Sequence, residues 1–100
     1  METQNYVVRQ NRGAPRVWLE GARLARAGFV PGVLFYLASN GPGHMLIEAH
    51  PEGPRKVSGK GARPIIDLAG RSVMGELETG DPVTVTYEPG RITIKRGGEV

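Results

Sequence analysis

The chain has no cysteine, and among its 100 residues are two phenylalanines and a single tryptophan. Without thiols, disulfides, thiolate metal sites and a cysteine nucleophile are excluded. Long apolar runs are missing too: the longest, residues 33–38, falls far short of the ~20 residues that a membrane helix needs. The opening METQNY lacks the basic-then-apolar order of a secretory signal. These absences predict a soluble, cytoplasmic protein with no membrane partner. What the chain has in quantity is backbone punctuation. Fifteen glycines and eight prolines disfavour long helices and favour short strands joined by turns. A chain this short makes one domain, which buries only ~60–65% of its unfolded surface.

The net charge is +3, and its distribution is uneven. Residues 1–28 carry Arg9, Arg12, Arg16, Arg23 and Arg26 against Glu2 and Glu20. Residues 55–63 carry Arg55, Lys56, Lys60 and Arg63 with no acid, and the segments 29–54 and 64–100 are acidic. Cations clustered in Gly-rich segments are what phosphate-backbone binding requires, because each contact releases condensed counterions. A solvated surface with chance clustering is the plainer alternative.

The chain also repeats itself. At an offset of 49, Val8 falls on Val57, Pro15 on Pro64, Leu19 on Leu68 and Gly21 on Gly70. At 48, Gly32 falls on Gly80, and at 47 Gly43 falls on Gly90 and Ile47 on Ile94. Residues 1–100 therefore read as a single domain of two copies, about 6–49 and 55–96, joined by a basic Gly-rich linker, 50–63.

The second copy is the clearer. In Pro64-Ile-Ile-Asp-Leu68, Ile66 and Leu68 share a strand face and Gly70 ends it. Residues 71–77 suit one or two helical turns with Gly80 as a left-handed cap. Residues 82–87 alternate strictly, residues 88–91 turn, and residues 92–94 return, so Val83, Val85, Tyr87, Ile92 and Ile94 line one face. The first copy follows suit. Val17 and Leu19 are inward, residues 22–27 form a short helix with Leu24 facing the core, residues 34–37 and 44–49 form a hairpin, and Tyr6-Val-Val8 is a leading strand. The fold class expected is mainly β with two short helices, in which two βαββ-type units pack face to face because one copy alone cannot cover its apolar surface.

The series Pro15, Val17, Leu19, Gly21, Leu24, Ala27-Gly28-Phe29, Gly32 resembles the SymE-like toxin domain. The stretch Leu77-Glu78-Thr79-Gly80-Asp81-Pro82-Val83 is similar to the Gly-Asp step of AbrB-like proteins. The resemblance implies a pseudo-twofold swapped-hairpin barrel, a fused equivalent of a dimer, with DNA binding as the AbrB-like activity and RNA cleavage as the SymE-like one. The chain departs from the pattern: the family's tryptophan position falls on Arg23, and Trp18 lies inside the preceding strand.

No cofactor motif is complete. Gly59-Lys60-Gly61 fails as a P-loop at Ala62. His44 and Glu48 share a strand face but stand roughly 13 Å apart, too far for one metal. His44 and His50 are the weak catalytic candidates for a metal-independent endoribonuclease, one of them acting as base beside Arg55 as phosphate clamp. Trp18, opposite Val17 and Leu19, packs in the core or an interface, lies under Arg16 or Arg23, or stacks on a base. Arg23 and Arg26 share one side of their helix. Three functions follow: a DNA-binding transcriptional regulator using the nine cations from Arg9 to Arg63, with DNA favoured over RNA and a further homodimer allowed; a SymE-like RNA-targeting toxin; or a phage or plasmid protein-interaction module. The first is the reading adopted.

Overall fold

The computed structural model describes residues 1–97. Ten strands and two short helices follow one another: β1 (Glu2–Val7), β2 (Arg9–Asn11), β3 (Ala14–Glu20), α1 (Ala22–Arg26), β4 (Leu34–Ser39), β5 (His44–Ala49), β6 (Arg55–Lys56), β7 (Ser58–Lys60), β8 (Arg63–Ala69), α2 (Arg71–Met74), β9 (Pro82–Glu88) and β10 (Arg91–Arg96). All pairings are antiparallel. They build one sheet ordered β1-β9-β10-β5-β4-β6 and a second ordered β2-β3-β8-β7. Both sheets are open, and no closed barrel is found among the described residues.

Alternation decides what lies between the sheets. Val17 and Leu19 of β3, with Ile66 and Leu68 of β8, point inward from the four-stranded sheet. Phe35, Met45, Ile47, Val83, Val85, Tyr87, Ile92 and Ile94 answer from the other, and all belong to one buried cluster. Val8 and Val57, each 1% exposed, sit where the chain passes from one sheet to the other. The Val8 N–H donates to the Asp81 carbonyl and its own carbonyl accepts from Gly80, while Val57 makes the same two bonds with Val33 and Gly32. These two valines therefore tie the leading strands to the far loops through the backbone.

The helices are brief because glycine stops them. Gly28 (φ 90°) follows α1, with Phe29 N–H bonded to the Leu24 carbonyl and Gly28 N–H to that of Ala25. This is a Schellman ending, whose apolar contact is the buried pair Leu24 and Phe29. It accounts for the order Ala27-Gly28-Phe29 in physical terms. The second helix ends at Met74 rather than Leu77, because Gly75 leaves the helical region with a positive φ (60°) five residues before Gly80.

Residues 50–63, expected to be a linker, are instead partly sheet: β6 pairs with β4, and β7 with β8. The other unforeseen hairpin joins β2 to β3. Its two turn residues, Arg12 (φ 54°) and Gly13 (φ 82°), both have positive φ, as a two-residue hairpin turn demands. For arginine this conformation costs about 1–2 kcal/mol. Arg12→Asn, which makes the favoured Asn-Gly pair, is expected to raise stability by roughly 1 kcal/mol, read as an increase in thermal midpoint.

Tyr87 supplies a pH-dependent term. It is 4% exposed, its hydroxyl donates to Gln4 Oε1 at 2.7 Å, and burial pushes its pKa from 10.0 up to about 12. The neutral phenol is the form the fold favours, so its contribution is complete below the unfolded pKa and is lost as pH rises from about 10 to about 12. An absorbance titration is expected to show a tyrosine ionising only near pH 12, and Tyr87→Phe to remove that step.

Candidate nucleic-acid interface

The alternation that buries Val17 and Leu19 turns Arg16, Trp18 and Glu20 outward. Opposite them on β8 the register sets Asp67 across from Trp18. Two ion pairs bridge the strands on either side of the indole. Arg16 Nε and Nη2 each reach an Asp67 carboxylate oxygen at 2.9 Å, and Arg63 Nε and Nη2 meet Glu20 Oε2 at 3.1 and 2.7 Å. These pairs are partly exposed, so their value to stability is small. Their effect is to hold side chains in place.

Trp18 is held from several sides. Its Nε1–H donates to Glu20, the Arg16 Cζ lies 4.7 Å from the ring centroid, and its backbone N–H donates to the Tyr6 hydroxyl at 2.9 Å. The hydrogen bond from Trp18 and then the one from Arg63 hold the Glu20 carboxyl below its ordinary range, and Asp67 pushes the Arg16 guanidinium pKa up. Arg9, paired in register with Arg16, stands 5.6 Å over the Tyr6 ring. Two open clefts meet here. One, of about 600 Å³, is lined by Gln4, Asn5, Tyr6, Val7, Arg9, Trp18 and Glu20. The other, of about 510 Å³, is lined by Arg9, Gln10, Arg16 and Trp18. Arg9 and Trp18 line both clefts, so these two side chains stand between the two halves of a trough beside β2 and β3.

No protein-family model, curated protein or solved structure matches the chain. The site therefore has to be judged on its own chemistry.

The nine cations do not converge. Arg9, Arg12, Arg16, Lys60 and Arg63 belong to the four-stranded sheet and its turns, Arg23 and Arg26 to α1, and Arg55 and Lys56 to β6 at the edge of the other sheet. Arg16 and Arg63 are committed to Asp67 and Glu20, and Arg26 grips Glu2 with bonds of 2.7 and 2.8 Å. That contact holds the Glu2 carboxyl below its ordinary range. Among the described residues, Arg9, Arg12, Arg23, Arg55 and Lys56 form no ion pair. Charge counting cannot separate these two groups. Nor did it point to Gln4, Asn5, Tyr6 and Gln10, which line the trough without any charge signal.

The two histidines part company. His50 Nδ1 accepts from the Glu52 N–H at 3.0 Å and its ring meets that of Tyr36 edge-on, centroids 5.2 Å apart. His44 instead lines a cleft of about 220 Å³ with Arg55, Ser72 and Glu76 on a floor that includes Leu37, Met45 and Met74. This cleft has a structural origin. β1 pairs with β9 over six residues, whereas β6 reaches only Leu34 and Phe35 of β4. On that side residues 36–39 meet no strand among the described residues. Pro51, Gly53 and Pro54 stand where a longer strand would run, and proline cannot donate to a ladder. Among the described residues no group of three His, Asp or Glu is placed to hold a metal ion.

Proposed function

We propose that the protein binds nucleic acid without cleaving it, as a DNA-binding regulator of the AbrB-like or SymE-like kind, through the outer face of the four-stranded sheet. The observation that carries this reading is the β2–β3 hairpin. It presents two arginines without acidic partners, Arg9 and Arg12, beside an outward tryptophan, and Arg12 occupies a strained backbone conformation. Strain retained at an exposed arginine is what a contact residue at a hairpin tip would require.

The tandem, pseudo-twofold arrangement belongs to the same proposal. It is supported by the spacing of the elements: β3 and β8 lie 49 residues apart, β4 and β9 48, β5 and β10 47. The pairings support it as well, since β1 of the first half lies on β9 of the second and β6 of the second on β4 of the first. In this reading each leading strand is exchanged onto the other half's hairpin, and Trp18 and Asp67, 49 apart and paired, straddle the axis.

An electrophoretic shift comparing duplex DNA, single-stranded DNA and RNA at two salt concentrations tests the function. Retardation that weakens as salt rises is expected; no shift of any of the three at low salt would refute the reading. The cleft holding His44, Arg55 and Glu76 favours one alternative, a metal-independent endoribonuclease with these as base, clamp and acid. RNA cleaved by purified protein, and spared by His44→Ala, would establish that alternative in place of simple binding.

A further inference from the structure

We infer that the Trp18 trough takes an unpaired nucleobase and its phosphate, so that the preferred ligand is single-stranded nucleic acid. The inference rests on the nucleic-acid reading above and names the form of ligand it implies.

Base stacking needs an aromatic plate that is exposed and fixed. Trp18 is fixed by its bond to Glu20 and by Arg16, and Glu20 and Arg16 are themselves fixed by Arg63 and Asp67 across the strand pair. The plate is therefore ordered before the ligand arrives, which lowers the entropy lost on binding. Arg16 lies over one part of the indole, but the larger cleft is lined by Trp18 and not by Arg16. Trp18 is half-buried, and the part of it that borders this cleft is where a flat ligand would lie.

The surroundings select the ligand's chemistry. A cation-seeking aromatic cage is a poor description, because Arg9 and Arg16 already stand over the Tyr6 and Trp18 rings. What the trough offers instead is an unneutralised guanidinium at Arg9, common to both clefts, for an anion. Amide side chains complete it. Asn5 and Gln10 can donate and accept along a base edge. Gln4 uses its carbonyl oxygen for Tyr87, which leaves its amide donors. A planar ring, one phosphate-binding arginine and flanking amides together match a nucleotide unit.

The unpaired state follows from access. Stacking on a side chain requires a base already outside a duplex stack, and such contacts are sequence-tolerant because every base has a π-face. The helices, Ala22–Arg26 and Arg71–Met74, are too short to fill a major groove in the usual way.

The chain has one tryptophan, so its own fluorescence reports on this site. The probes are oligothymidylate, oligoadenylate and the duplex they form, with dye-labelled strands and anisotropy for the variants. Single strands are expected to quench the Trp18 emission and to bind more tightly than the duplex. Trp18→Ala is expected to weaken single-strand binding roughly tenfold or more, and Trp18→Phe to recover most of it. Thermal melts of both variants check folding. Single strands that bind without quenching, or equally well to Trp18→Ala, would overturn the inference while leaving nucleic-acid binding standing. Failure of every strand to bind at low salt would overturn both.

Discussion

Gly53→Ala is expected to lower the stability of the protein by roughly 3 kcal/mol, the upper end of what overpacking costs, and the thermal midpoint by about 12–24 °C at this chain length. Gly53 is buried and lies where the chain leaves β5, crosses Phe35 and starts β6. A Cβ there would overlap the backbone nitrogen, carbonyl carbon and carbonyl oxygen of Phe35. The obstruction is backbone, so no side-chain rotation relieves it. Phe35 cannot retreat either, because its ring packs edge-on against Phe29 at 6.5 Å between centroids, and Phe29 closes the end of α1. A domain of this class has only about 5–15 kcal/mol in total, so the loss is a large share. Pro54→Ala, next along the chain and exposed, is the control and should change stability by no more than about 0.5 kcal/mol.

Arg9→Ala combined with Arg12→Asn is expected to weaken nucleic-acid binding across all sequences and to make its salt dependence shallower by about two charges. Neither arginine has an ion-pair partner among the described residues, so neither must be released from an acid before it meets a phosphate. Arg16, Arg26 and Arg63 differ, since each would first give up a carboxylate. Arg26→Ala, which lies on α1 and is bound to Glu2, should leave the salt slope unchanged. The two measurable properties of Arg12→Asn are expected to move in opposite directions, with stability rising and affinity falling. A residue serving only the fold would not behave that way.

Much of the fold was legible because it is written in alternation and glycine. The inward sets Val17 and Leu19, Ile66 and Leu68, and Val83, Val85, Tyr87, Ile92 and Ile94 follow directly from period two, and the break after α1 from Gly28. β2 and β7 were not legible. Arg9–Asn11 and Ser58–Lys60 are three residues long and polar or Gly-containing, so they carry no apolar alternation, and the turn between β2 and β3 holds an arginine where asparagine would have signalled a hairpin. α2 is shorter than its sequence suggests because Gly75 lies inside a stretch that otherwise suits a helix.

The site was legible only in outline. Charge clustering named nine cations but carries no information about which acids lie across a strand pair. Asp67 is 51 residues from Arg16, and nothing local announces that they meet. The same limit applies to Trp18: its outward face follows from alternation, whereas its neighbours Tyr6 and Arg9 depend on how β2 folds back beside β3.

The measurement that tests the central claim most directly is the affinity for a short oligonucleotide plotted against salt concentration, for the unaltered protein beside the Arg9→Ala, Arg12→Asn variant. The account predicts a log–log line with a slope magnitude of about 1.4 on a single strand, as two phosphate contacts give, in the first case and a nearly flat one in the second. A flat line for the unaltered protein, or the same slope for both, would contradict the claim that these arginines hold phosphates.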